Sequence, residues 1–314
     1  MSGVAHAFTV FFAHMRAIAW LPVVYALACQ SLRMAARSRA WRNILAAAYP
    51  ESKVRWRSVF GAYAAGVGVN AIVPVRGGDV LKLFLVRRRV EGATYSTLAA
   101  SLLVETLVDA VLSGLLVVWA LETHVLPGVN VLHRLPSVDW FWLFRHPRAA
   151  AAVAGSTLVL GFAAGLWASA RIEAFRHRVG RGFAVLHTPG RYVRGVVAWQ
   201  LLDWALRLAT VYFFLRAFHV HADLRNALRV QVTQSLSTIV PLTPAGIGTE
   251  QALVVYVLAG EASRSTLLSF SVGMKAIVST FSVVVGLSAV AVMLRTLHWH
   301  RAVESDEALE RPAE

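Results

Sequence analysis

Six charged residues lie in stretches otherwise apolar enough to cross a bilayer: Glu105, Asp109, Asp203, Arg207, Glu250 and Lys275. A charge at the bilayer centre costs at least ~2.5–3.5 kcal/mol on the mildest insertion scale. Several are tolerated only where they face one another, or water, inside the protein. Glu105 and Asp109 are four residues apart and share a helix face. Two carboxylates that close in a low dielectric require that one be protonated or that a cation lie opposite. Asp203 and Arg207 have the same spacing and opposite charge, which predicts a pair within one helix. Lys275 has no counter-charge on its own apolar stretch, and the sequence offers Glu105, Asp109 or Glu250 as its partner. The chemistry these residues suit is head-group or ion binding and proton transfer in a polar cavity at mid-depth.

Other chemistries find little support. There is no Walker loop, and Gly66-Val67-Gly68 lacks a dinucleotide-binding context. His124, His133 and His146 are scattered, and His298-Trp299-His300 is isolated, so neither a metal site nor a cofactor is expected. With Cys29 alone, no intramolecular disulfide forms. The net charge of +14 falls in short stretches between apolar blocks, the pattern of the positive-inside rule and not of a nucleic-acid interface.

The elements that would position these charges are membrane helices. Of 314 residues, 57% are hydrophobic and 15% charged, against about 25% charged in soluble proteins. Spans are predicted at about 17–33, 94–121, 149–170, 194–218 and 267–294, each near the ~17–25 residues that a crossing helix requires. Residues 4–15 read as interfacial, and no signal-peptide cleavage pattern precedes the first block. The Trp- and Phe-rich stretch 136–148 suits an aromatic belt. The polar tail 299–314 is expected to be disordered and cytoplasmic. Arginine-rich segments 33–57, 87–89 and 171–194 are expected inside, and 122–148, 219–226 and 261–266 outside.

Threading the chain through these sides leaves two interrupted stretches, about 57–90 and 227–260, that begin and end on the same face. Each must dip in and return. The first carries Asn70, Pro74, Arg76, Gly77, Gly78 and Asp79 around its break; the second carries Pro241, Pro244, Gly246, Gly248 and Glu250. Both run through Ile-Val-Pro to glycines, then an acid, then a second apolar stretch. Proline breaks a helix and glycine permits the turn. Entered from opposite faces, such broken hairpins are the mark of inverted repeats meeting near mid-membrane. The fold class that follows is an all-α polytopic membrane protein of about seven or eight membrane segments, including two re-entrant hairpins. A single domain over 1–298 is expected, with one repeat at about 17–170 and the other at about 194–294.

Taken together, the first hairpin (NAIVPVRGGDVLKLFLVRRR, 70–89), the Glu105/Asp109 pair and the second hairpin (IVPLTPAGIGTEQALVVYVL, 239–258) resemble the lysylphosphatidylglycerol synthase transmembrane-region family of flippase-like domains. The resemblance runs over about 15–295. It implies a multi-pass domain of the bacterial inner membrane that moves a lipid or lipid-linked head group between leaflets. Some members fuse it to a soluble aminoacyl-transferase or glycosyltransferase, and neither is expected here. The hairpin and acid-pair residues just named match the family's motifs position by position.

The function expected is therefore lipid transport of an anionic or lipid-linked substrate, with Arg76, Glu105, Asp109, Glu250 and Lys275 as substrate-binding residues and no catalytic residue. Membrane lipids are the expected partners, with a separately encoded enzyme as a further candidate. The C-terminus is expected in the cytoplasm. Two rivals remain: a membrane-embedded transferase acting on lipid-linked sugars with a carboxylate base, and a non-catalytic subunit that presents lipid to an enzyme.

Overall fold

The computed structural model describes residues 18–73, 77–123, 180–239 and 248–309. The expected span at 149–170, the aromatic stretch 136–148 and the hairpin tips with Pro74, Arg76, Pro241, Pro244 and Gly246 lie outside these residues. Among the described residues every regular element is helical, as the fold class required.

In chain order the helices are α1 (Trp20–Ala48), α2 (Trp56–Ile72), α3 (Gly77–Arg87) and α4 (Tyr95–Glu122). A short helix α5 (Pro189–Tyr192) leads through a π-helical turn (Val193–Val197) into α6 (Ala198–Ala217). Then come α7 (Leu224–Ile239), α8 (Thr249–Val257) and α9 (Arg264–Leu309). The predicted stretches at 94–121 and 194–218 coincide with α4 and α6. Two described segments, Tyr95–Ala120 and Arg264–Arg295, are long and apolar enough to cross a membrane.

Two boundaries depart from expectation. α1 does not stop near residue 33; it continues to Ala48 through the stretch read as a cytoplasmic loop. Residues 34–48 hold alanine, leucine and arginine, all strong helix formers, and Trp41, Ile44 and Leu45 are wholly buried there. α9 likewise runs on to Leu309, into the stretch expected as a disordered tail. Glutamate and alanine dominate that tail and favour helix as readily as coil.

The chain forms two compact units. One comprises residues 30–73, 77–105, 182–203 and 275–309 and contains the first broken hairpin, α2–α3. The other comprises 18–29, 106–123, 180–181, 204–239 and 248–274 and contains the second, α7–α8. Each unit interleaves pieces from both halves of the chain.

In the first unit α2 packs closely on α3 and α9, because glycine removes the side chains that would hold the helices apart. A Cβ on Gly68 would stand 2.6 Å from the Cα of Gly286 and 2.8 Å from the carbonyl oxygen of Ser282. Ala64/Gly68 and Ser282/Gly286 are thus facing small-xxx-small pairs, the usual device for close helix crossings in lipid. The core beside them holds Trp41, Leu45, Tyr63, Leu85 and Leu98. Trp41 donates its indole N–H to the Ser101 hydroxyl at 2.9 Å, so its one polar atom is satisfied. At the start of α4, the Thr94 hydroxyl accepts from the Thr97 N–H, an N-cap.

In the second unit Phe214, Leu215, Leu258, Leu267 and Phe270 are fully buried. Phe218 and Phe270 meet edge to face at 5.9 Å. α7 packs against α8 and buries amides and hydroxyls, namely Gln231, Thr233 and Ser235.

Candidate functional site

α1 carries Arg33 and Arg37 on one face, one helical turn apart. Arg33 donates from Nε to Asp203 Oδ1 on α6 at 3.1 Å and from a terminal nitrogen to Gln30 Oε1 at 2.7 Å. Arg37 donates from Nε to Glu105 Oε1 on α4 at 3.0 Å. Its terminal nitrogen also lies 3.9 Å from the second oxygen of Asp203. Both carboxylates are buried, Asp203 completely and Glu105 to within 3%. Gln200, one turn before Asp203, donates its amide to the Glu105 carbonyl oxygen at 2.6 Å. Its own side-chain oxygen is buried without a partner among the described residues.

The first hairpin adds to this cluster. The α2–α3 break is closed by Asn70, whose Oδ1 accepts from the Gly78 N–H at 2.8 Å. Gly78 lies against the carbonyl of Gly66, where no Cβ fits. Asp79 in the first turn of α3 binds Lys82 Nζ at 2.8 Å. Lys82 lies over the Tyr63 ring, 4.7 Å from its centre, a cation–π contact. Tyr63 is within electrostatic reach of Arg37, Glu105 and Asp203, and Lys82 of Glu105. Three cations (Arg33, Arg37, Lys82) therefore meet three carboxylates (Asp79, Glu105, Asp203) in one unit. Such a cluster has no net charge yet is rich in donors and acceptors.

Of the two alternatives for Glu105 and Asp109, the structure shows cations opposite the acids, with a separate guanidinium for each. Glu105 has Arg37. In the second unit, Asp109 accepts from the Trp204 indole at 2.9 Å and from Arg207 at 3.4 Å. Arg207 also lies over the Trp204 ring, 4.8 Å from its centre. Spacing had offered Arg207 to Asp203; in the structure Arg33 donates to the Asp203 carboxylate, Arg37 lies 3.9 Å from it, and Arg207 reaches Asp109.

Of the other predicted residues, Lys275 is half-buried on α9 and Glu250 half-buried in the first turn of α8. Gly248 precedes α8 with φ 92°, a conformation open to glycine, and its N–H is taken by the Gln251 side chain at 2.7 Å. Asn70, Gly77, Gly78 and Asp79 all lie at the first break, as their motif required.

Sequence reasoning missed Arg33 and Arg37, which counted there as loop charges. A signal existed: the two arginines are spaced by one turn among Met34, Ala35 and Ala36, and buried Glu105 and Asp203 demanded cations from somewhere.

A family model described as the lysylphosphatidylglycerol synthase TM region matches residues 5–286. This chain belongs to that family. The match takes in both hairpins, the acid pair and the α1 arginines. It makes the chain a membrane domain with a lipid-related role, and gives α4 and α9 their setting. Neither a curated protein nor a solved structure matches the chain.

Proposed function

We propose that this protein is a flippase-like lipid transporter of the bacterial inner membrane, with its C-terminus in the cytoplasm and two broken hairpins related as inverted repeats. The observation that carries the reading is the buried, charge-balanced cluster of Arg33, Arg37, Lys82, Asp79, Glu105 and Asp203 in a chain of a membrane-lipid family. A closed ion network of this kind lets a head group enter by exchange. A phosphate can take the forked donors of Arg37 as these leave Glu105 and Asp203, so hydrogen bonds are swapped and few are lost. A released carboxylate then takes a proton or a cationic part of the head group. Arg76 and Lys275 would add cations for the phosphate. Asp109 and Glu250, in the second unit, would serve as further acidic contacts. Acyl chains would stay in lipid while one repeat rocks against the other.

The transferase reading asks for a carboxylate free to act as a base, and the two most buried acids are each engaged by a guanidinium. That favours transport. The subunit reading predicts no activity without a partner.

Proteoliposomes carrying a fluorescent phospholipid and an impermeant quencher test the proposal. Wild-type protein should expose inner-leaflet lipid to the quencher. Arg37→Lys keeps the charge but loses the fork, and should slow exposure at least ~10-fold while the protein still elutes as a folded species. Wild-type liposomes that behave like empty ones, or a covalent product formed from a lipid-linked sugar, would overturn it.

A further inference from the structure

We infer that one end of the first unit is a surface site for anionic phospholipid, built from arginines held over aromatic rings. The lipid bound there is a resident ligand at head-group depth and not cargo, so the inference does not depend on the transport proposal.

Three exposed guanidinia carry it. Arg39 lies over the Trp56 ring, Arg87 over Tyr95 and Arg88 over Phe84, at 5.7, 4.4 and 4.5 Å from the ring centres. The interior cations of this unit give their donors to carboxylates: Arg33 to Asp203, Arg37 to Glu105 and Lys82 to Asp79. Among the described residues, no side-chain donor of Arg39, Arg87 or Arg88 meets an acceptor. A ring steadies a guanidinium without supplying an oxygen acceptor, so the N–H donors stay available while the side chain is already restrained. A donor set held in this way takes a phosphate at little cost in ordering.

Hydrogen bonds gather the three into one surface. The Trp56 indole donates to the Ser38 hydroxyl at 3.0 Å, beside Arg39, and Arg42 donates to the Val54 carbonyl at 3.1 Å. The Ser52 hydroxyl donates to the Glu91 carbonyl at 3.0 Å, and the Tyr49 hydroxyl accepts from the Thr94 N–H at 3.1 Å. The end of α1, the connection 49–55 and the connection 88–94 are thereby tied together. Lys53, Arg55 and Arg57 are exposed on the same stretch. Against these six exposed cations stand the exposed acids Glu51 and Glu91, neither in an ion pair among the described residues. The dipole of α3 favours a cation in its last turn and accounts for Arg87. It accounts for neither the rings nor the cations of 39–57.

Depth selects the partner. Tyr95 opens the crossing-length stretch Tyr95–Ala120, and the other such stretch closes at Arg295. Arg89, beside Arg88, donates to the Met293 carbonyl at 3.2 Å, so both stretches end at this surface. In a chain of a membrane family that is the head-group level, where Trp, Tyr and Arg meet lipid phosphate. A soluble acidic partner would first have to displace those head groups.

The experiment titrates the full chain in detergent with phosphatidylglycerol or phosphatidylcholine and counts bound lipid by native mass spectrometry. Wild type should retain phosphatidylglycerol over phosphatidylcholine. The triple variant R39Q/R87Q/R88Q should weaken that retention at least ~10-fold. Tyr95→Leu leaves the net charge unchanged and removes the ring under Arg87, so it should weaken retention about 3-fold. Gel filtration shows whether each variant is folded; should the triple variant fail there, Tyr95→Leu carries the test. Equal retention of the two lipids, or retention unchanged in Tyr95→Leu, would reduce the surface to diffuse positive charge and overturn the site. Retention lost in Arg37→Lys but kept in the triple variant would put the lipid in the buried cluster and overturn it too. Inorganic phosphate that displaces the lipid at equal concentration would make this a free-anion site, and polyglutamate that binds more tightly would make it a protein-docking face; either result overturns the lipid assignment.

Discussion

The two broken hairpins begin from nearly the same sequence recipe and are held by different forces. In the first, α2 is a run of glycine and alanine that lets backbones touch: Gly78 sits on the Gly66 carbonyl and Gly68 on Gly286. In the second, α7 carries Gln231, Thr233 and Ser235 into its buried face, and the break ends in a positive-φ glycine with nothing among the described residues within 4 Å of where a Cβ would stand. Their ion pairs differ as well. Arg37 joins Glu105 and Asp203 in a buried network, whereas Arg229 on α7 meets Glu261 at 3.2 Å with both side chains partly exposed. The first hairpin's unit is close-packed around charges with little room to give. The second's is polar, with a part-exposed ion pair and an exposed glycine at the start of α8. A matching motif therefore fixes where a chain breaks, and the residues around the break decide how rigid that break is.

The sharpest way to break this contrast is through the ion pairs. Removing one partner of a buried ion network leaves a stranded charge and costs ~3–5 kcal/mol. Arg37→Ala should lose that much, seen as a large fall in thermal midpoint or in folded yield. Arg229→Ala removes a part-exposed pair, worth ~0–1 kcal/mol, and should leave the midpoint within a few degrees of wild type. Comparable losses in the two variants would mean that the units do not differ in how their charges are held.

Next in size is the glycine pair. A Cβ on Gly78 would collide with the Gly66 backbone and stand 2.8 Å from Asn70 Oδ1, so α2 and α3 would have to part. Gly78→Ala should cost the upper end of the ~1–3 kcal/mol typical of overpacking, or more. It should also disturb the Lys82–Tyr63 contact. Gly248→Ala meets no atom among the described residues and carries backbone strain, ~1–3 kcal/mol. Its damage should stay local: amide exchange should rise at the start of α8 and not along α7. Exchange that rises throughout α7 and α8 would show the second hairpin to be as tightly coupled as the first.

How much of this could be read beforehand depends on range. The helical class, the helices at α4 and α6, and the break after Asn70 followed from hydropathy and Pro/Gly punctuation, which are local properties. Asp79 at the start of α3 followed from the same motif. What stayed hidden were partners brought by other helices. Arg33 and Arg37 were assigned to a loop because arginines set loop boundaries in a hydropathy reading, although α1 buries its far half around Trp41. Asp203 had Arg207 as its only nearby cation in sequence, and the guanidinium that hydrogen-bonds it, Arg33, comes from 170 residues away. The Gly68–Gly286 crossing was invisible for the same reason: small-xxx-small spacing is common, and only the fold says which two stripes meet.

The smallest expected effect separates the two hairpin caps. Asn70 accepts from the Gly78 N–H inside a close-packed break, and its amide also lies 3.4 Å from Asp79. Without Asn70 the N–H of buried Gly78 loses its acceptor beside the close-packed Gly66 carbonyl, so Asn70→Ala should cost ~1–2 kcal/mol, a cap loss plus a stranded donor. Gln251 makes the matching bond to the Gly248 N–H at 2.7 Å, but Gly248 is exposed and water can replace the side chain. Gln251→Ala should therefore cost about 0.5 kcal/mol, the low end for a cap. Hydrogen exchange at the two glycine amides reads the difference directly: a large acceleration at Gly78 and a small one at Gly248. The reverse order would mean that the first break is wetter than its glycine contacts allow, and that packing is not what holds it.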